Sequence, residues 1–140
     1  MSENPLGKST QYLSEYAPEL LFPITRSEKR DELDSKFLQF TGEDIWNAYE
    51  LSWLNSYGLP QVAIAEFRVP SNSSHIIESK SLKLYLNSFN QTKFEEQSKV
   101  VNTIKSDLSK AANTEVEVRL FKVDDDGNFG VKKLSGECID

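Results

Sequence analysis

From Ile45 onward, apolar and polar positions begin to alternate along the chain. Ile45 to Leu54 is aromatic and apolar with partial alternation (Trp46, Tyr49, Leu51, Trp53), and Gln61 to Val69 follows as a second such run. Period-two alternation rich in aromatic and branched residues predicts two strands. The Asn55-Ser56-Tyr57-Gly58-Leu59-Pro60 segment between them reads as a hairpin loop, because glycine and proline supply turn geometry. After a polar break, Pro70 to Ser74, comes Ile76-Ile77, and then the period changes. Leu82, Tyr85, Leu86 and Phe89 recur at i, i+3, i+4 and i+7, one apolar helical stripe with Lys83, Asn87 and Asn90 opposite. A second helix is expected to open at Thr92, with Glu95 completing a capping box. Phe94, Val101, Ile104, Leu108 and Ala111 would be its buried face, and Asn113 its stop. Glu115 to Val123 alternates again, with Val116, Val118 and Leu120 on one face. Asp124 to Asn128 reads as a turn, and Phe129 to Leu134 as a last strand.

The predicted order is therefore ββααββ, an α+β class. It matches the tunnelling fold, a four-stranded antiparallel sheet with two helices on one face. Such a sheet needs cover for its other face and its edges, so self-association or docking on a second copy is expected. Residues 1–44, with Pro5, Pro18 and Pro23, read as an irregular N-terminal arm packed on the domain through Tyr12, Leu20, Leu21 and Phe22. Residues 45–140 form the expected module.

Composition narrows the partners. Against 16 basic residues stand 22 acidic ones, a formal charge of −6, and no Lys/Arg stripe appears, which argues against direct nucleic-acid binding. No apolar run approaches membrane length and no signal pattern opens the chain, so a soluble cytoplasmic protein is expected. The single cysteine, Cys138, leaves no internal disulfide framework. His75 is the single histidine with no ligand cluster in sequence, so no metal site is assigned. Asp124-Asp125-Asp126-Gly127 fails as a calcium loop, because aligning Gly127 to the loop glycine puts Lys122 and Lys133 at the end ligands. Gly7-Lys8-Ser9 echoes the end of a phosphate-binding loop without a preceding strand, and no Gly-rich dinucleotide fingerprint occurs.

The chemistry concentrates where the third apolar run gives way to a helix: Glu78-Ser79-Lys80-Ser81-Leu82-Lys83-Leu84-Tyr85-Leu86-Asn87-Ser88-Phe89-Asn90-Gln91. A helix start offers unpaired N–H groups and partial positive charge, suited to an anion or a polar ring edge. Glu78 can accept paired hydrogen bonds from a ring N–H and an exocyclic amine. It can equally be a helix cap, since an acid followed by serine is common at helix starts. Lys80 can meet a phosphate as a point charge. Taken alone, Lys80 and Lys83 are ordinary solvated lysines.

This stretch resembles the signature of the NADPH-dependent nitrile reductases of queuosine biosynthesis, the 7-cyano-7-deazaguanine reductases. Leu6-Gly7-Lys8-Ser9-Thr10, Asp44-Ile45-Trp46, Tyr49 to Asn55, Gly58 to Ala63 and Gly136 to Asp140 are similar to the long, two-module form of that family. The resemblance implies reduction of 7-cyano-7-deazaguanine to 7-aminomethyl-7-deazaguanine with two NADPH, in a tRNA-modification pathway. It assigns Ile77, Glu78 and Ser79 to the substrate, and Ser79 and Lys80 to NADPH. It also implies a C-terminal module of the same protein as partner, and a homo-oligomer, a dimer.

Catalysis in the family runs through a cysteine thiolate followed by an aspartate, and a His-Glu pair that holds the substrate. Only two residues follow Cys138, which belongs to the segment closing the first module. The expectation is therefore no catalytic residue in this chain, an inactive chain when alone, and a nucleophile in a second half. The rival reading is a stand-alone purine- or pterin-binding or assembly module without catalysis. A pterin-directed enzyme of the same fold is a third reading, for which one histidine is too few.

Overall fold

The computed structural model describes residues 4–9, 11–33, 41–124, 133, 135–137 and 139. A 3₁₀ turn at Pro18–Leu20 leads into strand β1 (Pro23–Thr25) and a one-turn helix α1 (Ser27–Arg30). Strands β2 (Glu43–Leu54), β3 (Pro60–Pro70) and β4 (His75–Ile77) follow, then helices α2 (Ser79–Asn87) and α3 (Gln97–Ala112), and strand β5 (Glu117–Phe121).

The predicted hairpin forms as β2 and β3, antiparallel from Glu43 opposite Pro70 to Leu54 opposite Pro60. Its loop closes because the Asn55 carboxamide oxygen accepts from the amides of Tyr57 and Leu59, while Gly58 takes a φ of +80° that side chains oppose. Strand β5 pairs antiparallel with β3, giving the order β2-β3-β5. β1 and β4 make a separate two-stranded sheet, Pro23 opposite Ile77. Among the described residues the architecture is thus mixed α and β with antiparallel sheets, five strands in two sheets. The expected last strand, 129–134, lies outside the described residues except for Lys133, as do Cys138 and most of the acidic turn.

One core holds these layers together. Leu51 and Trp53 of β2 and Ala63, Ala65, Phe67 and Val69 of β3 are buried against Leu82, Tyr85 and Leu86 of α2 and Val100, Ile104 and Leu108 of α3. Val116 is buried there too, with Val118 and Leu120 of β5 packed beside it, as the alternation predicted.

Three expectations are corrected. The second helix starts at Gln97, not Thr92, and has no side-chain cap. The Thr92 hydroxyl instead accepts from the Tyr16 amide and donates to the Ser88 carbonyl, and the Phe94 amide bonds to the Leu54 carbonyl. The hydroxyl expected to cap the helix is thus taken by a distant amide and a local carbonyl. The buried stripe of α3 is Val100, Ile104, Leu108 and Ala112, so Val101 and Ala111 flank it, and Phe94 stacks on Phe89 from outside the helix. In the arm, Leu20 and Leu21 pack on the core as expected, but Tyr12 is exposed and Ala17 is the buried residue. Asn113 does end α3, at a left-handed φ of 53°.

Candidate functional site

Helix α2 presents two working faces, and their spacing follows from 3.6 residues per turn. One face carries Ser81, Tyr85 and Ser88, and it holds the arm. The Ser81 hydroxyl accepts from the Phe22 amide and donates to the Glu78 carbonyl; the Ser88 hydroxyl accepts from the Ala17 amide and donates to the Tyr85 carbonyl. Tyr85 and Tyr16 both donate to one Asp107 carboxylate oxygen, each at 2.6 Å. Burial first, and then that bond to Asp107, push both phenols well above the ordinary range of a tyrosine. Tyr16 also meets Phe89 edge to face, 5.5 Å between centroids.

The signature residues sit at the start of this helix. Ile77 is buried at the end of β4. Glu78, only 4% exposed, is the N-cap: its two carboxylate oxygens accept from the amides of Lys80 and Ser81, both at 2.8 Å. A buried carboxylate on free helix amides is stabilised by charge-assisted bonds and by the helix dipole. The Ser79 hydroxyl is exposed and lies 3.3 Å from the same carboxylate. The Lys80 ammonium reaches back to the N-terminal turn, donating to the carbonyls of Pro5 and Lys8. Gly7 shapes that turn at a φ of +79°. The structure therefore brings Ile77, Glu78, Ser79 and Lys80 together, with Glu78 turned into the protein and Ser79 turned out.

The second face of α2, Ser79, Leu82, Lys83, Leu86 and Asn87, lines a cleft of about 330 Å³. Its opposite wall is the stretch Trp46–Leu51 of β2, with Phe67 of β3 also lining it. A β-bulge makes this wall. Ala48 faces Ala65 and Leu51 faces Ala63, so Tyr49 and Glu50 together oppose Ile64. An extra residue bends a strand and re-aims its side chains, and here both Tyr49 and Glu50 line the cleft. Sequence reasoning placed Trp46 and Tyr49 in a strand without giving them a site. The signal was present: the inward apolar positions change from even (Trp46, Ala48) to odd (Leu51, Trp53) inside one strand.

Fold and site together define an antiparallel α+β module that offers a ring-sized cleft beside a carboxylate-capped helix. A family model described as nitrile reductase, 7-cyano-7-deazaguanine-reductase N-term, matches residues 12–120, and the chain belongs to that family. It is 52% identical over 139 residues to the NADPH-dependent 7-cyano-7-deazaguanine reductase of Azoarcus sp. (strain BH72), covering 98% of this chain and 50% of that one. It is 59% identical over 119 residues to the enzyme of the same description from Dechloromonas aromatica (strain RCB), covering 84% and 42%. With that of Teredinibacter turnerae the identity is 53% over 135 residues, covering 96% and 48%. The chain spans about half the length of the curated relatives it matches. Among the described residues no helix is long and apolar enough to cross a membrane.

Proposed function

We propose that this chain is the N-terminal module of a two-module, NADPH-dependent nitrile reductase that converts 7-cyano-7-deazaguanine to its aminomethyl product. The reading rests on the family match over residues 12–120, carried by relatives about twice as long. In it, residues 45–140 form the first tunnelling-fold module and residues 1–44 its docked arm. The catalytic thiolate comes from the C-terminal module, and the protein works as a cytoplasmic homo-oligomer.

Within this chain, Ile77, Glu78 and Ser79 hold the deazaguanine, and Ser79 and Lys80 hold NADPH. Their donor sets are compatible with those ligands. An ionised carboxylate has about four acceptor positions, and Glu78 spends three, on two amides and the Ser79 hydroxyl. Lys80 has three ammonium donors, of which two meet carbonyls. One acceptor and one donor remain for a ligand, and a ring edge that recruits the Ser79 hydroxyl frees a second acceptor. A hydrogen bond to a charged group contributes about 1.5–3 kcal/mol net, enough to choose a deazaguanine over an apolar ring. NADPH, when bound, supplies hydride. This chain's part is to orient the ring and meet the cofactor's charge.

The test is Glu78→Gln in the complete protein, with substrate affinity measured by calorimetry on folded variant. A loss of about tenfold or more is expected. Unchanged affinity would remove Glu78 from the substrate site.

A further inference from the structure

We infer that Ser81 is a positioning residue for the ring site: its hydroxyl ties the arm to the main chain of Glu78 and so fixes where that carboxylate lies. The inference rests on the reductase reading and adds to it a residue that acts only through Glu78. The antiparallel register of β1 and β4, with Pro23 opposite Ile77 and Ile24 opposite Ile76, puts Phe22 opposite Glu78 one step further on. Two residues so placed can exchange both main-chain bonds. The Glu78 amide makes its half, donating to the Phe22 carbonyl at 2.9 Å. The Glu78 carbonyl has turned into the helix instead, where it accepts from the Leu82 amide at 3.0 Å. The Ser81 hydroxyl bridges the place of the second rung. It accepts from the Phe22 amide at 3.0 Å and donates to the Glu78 carbonyl at 2.7 Å. Three hydrogen bonds thus close a ring through Phe22, Glu78 and Ser81.

The helix start itself does not need this hydroxyl. The Leu82 amide on the Glu78 carbonyl and the Lys80 and Ser81 amides on its carboxylate already close it, and alanine forms helix better than serine. A fully buried serine at this position is explained by what it joins. Glu78 is buried too, with both carboxylate oxygens accepting amides, so a ring edge must approach acceptor positions that leave little latitude. A binding group of this kind has to be held within about 0.5 Å of its productive place. The ring supplies that hold: the N–H of Glu78 is fixed to the arm directly, and its C=O through Ser81. Lys80 is held by other arm residues, through the carbonyls of Pro5 and Lys8, so cofactor recognition does not depend on the ring.

The experiment is a double-mutant cycle in the complete protein, with 7-cyano-7-deazaguanine as the probe and affinity read by calorimetry on variants shown by melting to be folded. Ser81→Ala is expected to weaken the nitrile by about fivefold in the wild-type background, and by less than about twofold in Glu78→Gln, since a residue acting through Glu78 has nothing left to position. Steady-state rates should show the same loss as a raised KM for the nitrile, with the KM for NADPH within about twofold of wild type. Ser81→Thr keeps a hydroxyl able to bond the carbonyl three residues back and should restore affinity. Equal losses in the two backgrounds would overturn the inference, because a merely structural serine acts whether or not Glu78 is present. So would a KM raised alike for nitrile and NADPH, or a folded Ser81→Thr that binds no better than Ser81→Ala. Wild type that neither binds nor reduces the nitrile would overturn the reductase reading as well, a failure seen before any variant is compared.

Discussion

Replacing Glu78 by glutamine keeps its shape and removes its charge, at a position where the carboxylate also starts a helix. Both of its oxygens accept main-chain amides, from Lys80 and Ser81 at 2.8 Å, and the residue is 4% exposed. Glutamine keeps one acceptor and turns an NH₂ group against the other amide. The lost charge-assisted bond is worth about 1.5–3 kcal/mol, and the loss of a negative charge at the helix N-terminus adds about 0.3–1 kcal/mol. No other acidic residue stands in the first turn of α2 to compensate. The variant should therefore be less stable by about 2–4 kcal/mol, a melting shift of roughly 6–15 °C for a domain of this length. Urea titration followed by tryptophan fluorescence measures it. A loss below about 0.5 kcal/mol would show that the cap contributes nothing and would refute the reasoning. The same number sets the conditions for the substrate test, since affinity has to be read well below the variant's melting temperature.

Two further outcomes follow from the arm-binding face of α2. Tyr85, buried and bonded to Asp107, holds its proton to higher pH than a free tyrosine, so above about pH 10 the unfolded chain loses a proton the folded one keeps. Its contribution is intact below that pH and falls above it by about 1.4 kcal/mol per unit. Urea midpoints should drop steeply in alkali for wild type and less for Tyr85→Phe, and parallel profiles would contradict this. Ser81→Ala leaves the Phe22 amide without its acceptor at a cost of about 1–2 kcal/mol. Limited proteolysis should then cut the arm sooner than the β2–β3 hairpin, and an unchanged cleavage rate would argue against the serine as its tether.

What could be read from the chain was what depends on near neighbours. The β2–β3 hairpin follows from alternation and from Asn55 and Gly58, whose bonds span at most four residues. Helix α2 follows from its apolar stripe. The start of α3 was misread because Thr92 is held by Tyr16, 76 positions away, a competitor no local window contains. Strand β1 went unread for the same reason: Pro23, Ile24 and Thr25 are extended because β4 pairs with them. The signature could be located, but the sequence left open whether Glu78 faces a ligand or the helix. The cleft is not legible because, in sequence, the bulge at Tyr49-Glu50 reads only as imperfect alternation.

The bonds that fasten the arm have a consequence in time. Those from Phe22 to Ser81, Ala17 to Ser88 and Tyr16 to Asp107 close loops of 59, 71 and 91 residues. Each joins residues that have little to gain from meeting until α2 and α3 already stand on the hairpin, and contacts so distant form slowly. The bonds from Lys80 to the carbonyls of Pro5 and Lys8 span 75 and 72 positions, closures of the same distant kind. The surroundings of the signature lysine are thus built from contacts of the slowly forming class.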